Sequence, residues 1–162
     1  KVLTTKIDRK KNQIYEIRYT DGFSADPTFL IFKNGEEKEL GGFAGTELYL
    51  SGNGSVYVSG HTNNFYNQRS KFELKGDKFV GVKQPFYYVG LDSKALRDIT
   101  IYSDKKQTLP VANIPTGAKL SVLLNEGDFY LIKTQFGLLG WVRYKPERLD
   151  DNLIEGLFFM GD

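Results

Sequence analysis

An all-β chain is what this sequence predicts, and three observations predict it. Its 162 residues include 12 Phe and 10 Tyr, side chains that favour pleated, half-buried surfaces. Turn residues punctuate short alternating runs at intervals of roughly 8–12 residues, the signature of an antiparallel meander. No run with the helical period extends beyond about two turns. The architecture expected is an N-terminal antiparallel meander sheet or small sandwich, plus a small C-terminal barrel, packed together. At this length the chain can form one large domain or two small ones, and a single core would bury roughly 68–70% of the unfolded surface.

Residues 1–12 are polar and basic and read as an arm or a poor first strand. Residues 13–19 alternate, with Ile14, Ile17 and Tyr19 among Glu16 and Arg18, and Asp21-Gly22 marks a turn. Residues 28–33 (TFLIFK) form a strong strand. Asn34-Gly35 follows, the best short hairpin signal because both residues tolerate positive φ, and residues 36–40 return. Residues 46–51 and 55–59 flank Gly52-Asn53-Gly54 as a second hairpin. Residues 71–74 and 78–82 flank Lys75-Gly76-Asp77 as a third. Residues 85–90 (PFYYVG) are a further aromatic strand, and residues 93–97 are the one helical candidate, a single turn. The hairpins are spaced like propeller blades, but a closed propeller needs at least four blades of about 40 residues. A boundary is expected near Asp92-Ser93-Lys94, dividing an antiparallel β domain at residues 1–92 from a second domain at 93–150.

Beyond Ile99 the pattern changes. Residues 99–104 give a short strand running into a polar loop at 105–108. Residues 110–115 lead to Gly117, and 119–124 form the next strand. A turn at 125–128 precedes a strand at 129–134. Gln135-Phe136-Gly137 turns again, and 138–142 closes the set on Gly140-Trp141-Val142 with the only Trp of the chain. Gly117 allows a tight strand entry, Gly140 permits a kink beside the large Trp, and Phe129 is placed to plug a small core.

This order of Ile101-Tyr102, polar loop, Gly117, Gly127-Asp128-Phe129 and Gly140-Trp141-Val142 resembles the bacterial SH3-type (SH3b) domain family over about residues 99–150. It departs from that family where Ile-Tyr-Ser stands for the usual Asn-Val-Arg, and where Phe129 stands for the commoner Trp. The resemblance implies an SH3-like barrel and an extracytoplasmic, secreted or periplasmic address. It also implies recognition of cell-wall peptide (peptidoglycan) or a protein partner. Residues 151–162 are too apolar to dangle and are expected to dock as a strand on the N-terminal domain. Such a tail after an SH3-type domain resembles those of secreted proteins of Bacteroidetes-like bacteria.

Composition narrows the function classes. Lys plus Arg is 22 and Asp plus Glu is 20, a formal charge of only +2, whereas nucleic-acid modules concentrate a larger basic excess. The one tight basic cluster, Lys6, Arg9, Lys10 and Lys11, reads as a solvated arm. Cys is absent, which removes disulfides, thiolate nucleophiles and zinc-thiolate sites. The chain begins at Lys1 and not at Met, as expected of a processed product whose signal segment or lipid anchor lay upstream. No run approaches the roughly 20 apolar residues of a membrane helix.

Chemistry-bearing constellations are sparse. His61 is the only His and has no second ligand at zinc spacing. A triad drawn from Ser55 or Ser59 with His61 lacks a nucleophile elbow. Glu36-Glu37, Glu126 with Asp128, and Asp150-Asp151 are carboxylate neighbours in expected turns, where solvated charge is the default. No metal, cofactor or enzymatic activity is therefore expected. The aromatic runs Phe86-Tyr87-Tyr88 and Phe129-Tyr130 could stack on sugars or peptides. The expectation is a non-enzymatic binding module, its ligand surface formed by Tyr102, Asp104, Phe129, Trp141 and Tyr144. Its rival is a structural or interaction protein in which the SH3-like domain is a packing unit and the N-terminal sheet binds a protein or glycan.

Overall fold

Alternation of apolar and polar residues builds every element of this chain. The computed structural model describes residues 3–21, 26–145 and 152–161, and these form strands and turns without helix. The fold class is all-β, with three antiparallel sheets. Gly22 of the expected first turn and the pair Asp150-Asp151 lie outside the described residues.

The chain divides into two compact units, residues 1–62 with 67–83, and residues 63–66 with 84–162. The first unit holds two meanders. One runs β1 (Leu3–Thr5), β2 (Tyr15–Thr20), β3 (Thr28–Lys33) and β4 (Glu39–Ala44). The other runs β5 (Glu47–Leu50), β6 (Ser55–Gly60), β7 (Gln68–Lys75) and β8 (Lys78–Val82). Their inward rows meet in one core of Ile7, Tyr15, Ile17, Ile31, Leu40, Phe43, Val56 and Val58. Phe43 joins the two sheets through ring contacts to Phe72 (4.7 Å between centroids) and Phe79 (5.2 Å). Each fully buried Ile or Val in such a core contributes about 1.5–3 kcal/mol over its exposed state. All three expected hairpins form, and Gly35 (φ 82°) and Gly76 (φ 62°) take the left-handed positions that require glycine.

The N-terminal arm is structured where the sequence suggested a solvated one. Ile7 is 1% exposed and pulls the basic segment onto the core, and the Arg9 backbone N–H donates to the Gly52 carbonyl (2.9 Å).

The second unit is a six-stranded antiparallel sheet in the order β11-β10-β14-β13-β12-β9. Its strands are β9 (Tyr87–Lys94), β10 (Ile99–Tyr102), β11 (Pro110–Ile114), β12 (Lys119–Glu126), β13 (Phe129–Thr134) and β14 (Leu139–Arg143). Among the described residues no ladder joins β11 to β9, so the sheet has two edges. The division between units falls at residues 83/84 and not at Asp92. Asp92, Ser93 and Lys94 read as a polar boundary because they are the tail end of β9, which pairs along its length with β12. Nor do residues 93–97 form a helical turn: β9 runs to Lys94, and Ala95, 1% exposed, bridges Ile154.

The described tail, residues 152–161, belongs to this second unit and not to the N-terminal sheet. Ile154 and Leu157 are each 0% exposed and join Ile101, Val122, Tyr130 and Ile132 in its core. Residues 63–66, from the loop between β6 and β7, also belong here. The buried Tyr66 hydroxyl donates to Asn125 Oδ1 (3.1 Å), while Asn125 Nδ2 donates to the Gly127 carbonyl (2.7 Å). Burial holds the Tyr66 and Tyr130 hydroxyls well above the ordinary phenol range.

Asp98, just before β10, fastens the turn between β11 and β12. Its Oδ1 accepts from the Thr116 backbone N–H and hydroxyl, each at 2.8 Å, and these two bonds hold its carboxyl below the ordinary value of 3.8. A depressed folded-state pKa gives stability that is present above the unfolded value and lost as the pH falls through the folded one. We therefore expect Asp98→Asn to flatten the acid limb of stability. Urea midpoints of the two proteins should differ at neutral pH and draw together as the pH falls below the ordinary value of 3.8 and through the lowered folded-state one. A constant difference down to pH 2 would show that Asp98 acts through its shape and not its charge.

Candidate functional site

Strand alternation divides the second unit's sheet into two faces. Inward stand Leu120, Val122, Tyr130, Ile132 and Val142, all buried. Outward stand Phe129, Leu131, Trp141, Tyr102 and Leu124, all half-buried, with Tyr88 exposed. The register aligns five of these outward residues into one row, Tyr102–Trp141–Leu131–Leu124–Tyr88, crossing β10, β14, β13, β12 and β9. At about 4.8 Å per strand, the row follows the sheet for roughly 19 Å. Phe129 lies two residues from Leu131 on the same face, diagonal to Trp141.

A β-bulge keeps the row continuous. The pairing of β12 shifts between Val122 and Leu124, so Leu123 is an extra residue and Leu124 returns to the outward face. On β9 the accompanying irregularity is Gly90 (φ 66°), over which the Tyr88 ring is laid. A Cβ there would stand 2.4 Å from the Tyr88 Cε1 atom.

Charged groups frame this stripe. Lys105 Nζ sits 5.4 Å from the centre of the Trp141 ring and pairs with the Glu126 carboxylate, giving Trp141 a cation above its face. Arg143 and Asp128 form a second pair at 3.5 Å beside Phe129. The loop carrying Lys105 is held tightly. The Ser103 N–H donates to the Leu109 carbonyl (3.0 Å), the Thr108 hydroxyl to Asp104 Oδ2 (3.3 Å), and Gln107 takes a positive φ of 58°.

Of the five residues expected from sequence, Tyr102 and Trp141 are direct cross-strand partners, and Phe129 flanks them. Asp104 lies exposed in the loop beyond Tyr102, with one carboxylate oxygen accepting from Thr108. Tyr144 is a correction. It is 5% exposed, its ring meets Phe65 and Tyr130, and its hydroxyl donates to Asn152 Oδ1 (2.9 Å). It is a core residue, because it continues the alternation of β14, in which Val142 points inward and Arg143 outward. Phe129 points outward and does not plug the core; its neighbour Tyr130 (3% exposed) fills that position. Gly140 is required for packing, since a Cβ would stand 2.9–3.0 Å from three side-chain atoms of Ile101. Leu131, Leu124, Lys105 and Glu126 were missed, although alternation from Phe129 would have found Leu131, and Tyr88 was singled out only as part of a separate aromatic run.

Below the stripe the same face opens into a cleft of about 500 Å³, lined by Asp92, Ser93, Lys94, Lys119, Ser121, Lys133 and Glu155 among others. Among the described residues no group of three His, Cys, Asp or Glu could hold a metal ion. Within them, no helix is long and apolar enough to cross a membrane. Glu36 and Glu37 are exposed in the turn after β3, while Glu126 and Asp128 are each paired with a cation. His61 is half-buried just beyond β6. No protein-family model, curated protein or solved structure matches the chain.

Proposed function

We propose that this chain is a non-enzymatic extracytoplasmic binding module whose second unit, an SH3-like domain, recognises an extended cell-wall peptide or a peptide segment of a partner. One observation carries the reading: the half-exposed row Tyr102–Trp141–Leu131–Leu124–Tyr88 on the outward face of the sheet. Apolar side chains aligned over roughly 19 Å offer contact to about five or six residues of extended chain. The pairs Lys105–Glu126 and Arg143–Asp128 at its border supply polar partners for a peptide backbone. The Ser103–Thr108 loop, with Asp104 and Lys105, sets specificity at the Tyr102 end.

The test is retention on insoluble peptidoglycan. The intact chain is expected to be retained, and Tyr102→Ala or Trp141→Ala to reduce retention by roughly five- to thirtyfold, the range for aromatic anchors. Circular dichroism of each variant separates lost binding from lost fold. Failure of the intact chain to be retained at low salt, or retention unchanged in both variants, would overturn the reading.

A second reading has an observation of its own. In the first unit β5 is an edge strand, and its Tyr49 is 58% exposed opposite Tyr57. That edge could recruit another chain by strand addition. A peptidoglycan-negative chain that self-associates or captures partners through β5 would favour it.

A further inference from the structure

The cleft beside the stripe carries an imbalance of charge that the fold does not resolve. Lys119 on β12 and Lys94 on β9 are direct cross-strand partners. Like charges placed opposite one another in this way destabilise a sheet. Lys94 is relieved by Glu155 at 3.2 Å, but Lys119 has no carboxylate within ion-pair distance among the described residues. One row nearer the stripe, Lys133, Ser121 and Asp92 stand side by side on β13, β12 and β9. There the Ser121 hydroxyl donates to one oxygen of Asp92, Oδ1 (2.5 Å), and Lys133 has no carboxylate within ion-pair distance among the described residues. Two unpaired ammonium groups thus face one cleft, whose volume of about 500 Å³ lies within the roughly 300–1,000 Å³ of ligand sites.

We infer that this cleft binds the free carboxylate at the C-terminal end of the extended peptide that lies on the stripe, with Lys119 and Lys133 as its cationic partners. The inference rests on the peptide-binding reading above and deepens it by naming the end group recognised. Register supplies the link: Lys133 is two residues along β13 from Leu131, so the cleft begins about 7 Å from the centre of the stripe on the same face. A carboxylate placed there accepts two charge-assisted hydrogen bonds, and Gln135 and Thr134 line the wall beside it.

The experiment compares two forms of one probe, the N-acetylated hexapeptide Gly-Leu-Ala-Gly-Leu-Ala with a free C-terminal acid and with a C-terminal amide. Binding is measured by titration calorimetry on the full chain. The acid is expected to bind at least roughly tenfold tighter, as for hydrogen bonds to a charged group, with the preference lost in Lys119→Gln and Lys133→Gln. Both lysines are exposed, so these variants keep the fold. Equal binding of acid and amide, or a preference that survives both substitutions, overturns the carboxylate site and leaves the stripe reading standing. If neither form binds, the stripe reading fails for this probe, and the cleft is judged alone with N-acetylglycine. Amide shift changes at Ser121 and Lys133 that vanish in Lys133→Gln support the site, and their absence in the unsubstituted chain overturns it.

Discussion

Leu157→Ala is expected to destabilise the second unit by about 2–5 kcal/mol, the range for deleting a fully buried Leu side chain. Leu157 is 0% exposed and packs in one cluster with Ile101, Val122 and Ile132, and its carbonyl lies 3.3 Å from the Tyr144 hydroxyl, sharing the proton donated to Asn152. The lost methyl groups forfeit transfer energy, and a core of paired strands relaxes little around the space left behind. Urea unfolding followed by fluorescence checks this directly, because Trp141 is the only Trp and lies on β14 of that unit. An unmoved midpoint would show that the tail is an appendage and not part of the core. Leu153→Ala, at a half-buried site on the same tail, should cost distinctly less.

Gly140→Ala is expected to cost about 1–3 kcal/mol, and Gly140→Val more, through overpacking. The added Cβ would stand 2.9 Å from Ile101 Cβ and 3.0 Å from two further atoms of that side chain, which is itself fully buried and has nowhere to withdraw. The clash is pairwise, so it predicts its own rescue. In the double variant Gly140→Ala with Ile101→Val, the combined cost should fall short of the sum of the two single costs. Strict additivity would mean that Gly140 matters for some other reason, such as backbone conformation, although its φ is not in the left-handed region.

The hairpins were legible because their signals are local. Gly35 and Gly76 sit where a tight turn needs positive φ, and the flanking runs alternate cleanly. Gly127 (φ 60°), at the first position of the two-residue turn between the paired residues Glu126 and Phe129, belongs with them. What sequence could not show was pairing between distant strands. Asp92 and Lys94 meet Ser121 and Lys119 only because β9 lies against β12, with β10 and β11 intervening in the chain but not in the sheet. The cleft was therefore invisible in the sequence. Phe129 and Tyr130 show the cost of a one-residue error in phase, since either aromatic could fill a core and only the strand register decides. Tyr144 was legible and was misjudged: it has the parity of the inward Val142 and not of the outward Trp141, and its N–H donates to the Asp128 carbonyl (2.8 Å), so the alternation of β14 carries on through it.

The capture of residues 63–66 by the second unit bears on how this protein can be inherited and taken apart. The chain passes from one unit to the other at 62/63, 66/67 and 83/84, so the second unit is not a contiguous cassette. A gene fragment encoding residues 84–162 would lack Tyr66, which is 4% exposed and is hydrogen-bonded to Asn125 in the middle of that core. Such a fragment carries an empty slot that a short peptide bearing Asn63 to Tyr66 could fill in trans. Recombination at the apparent boundary would then deliver an incomplete module, which binds the two halves into one evolutionary unit despite their separate cores.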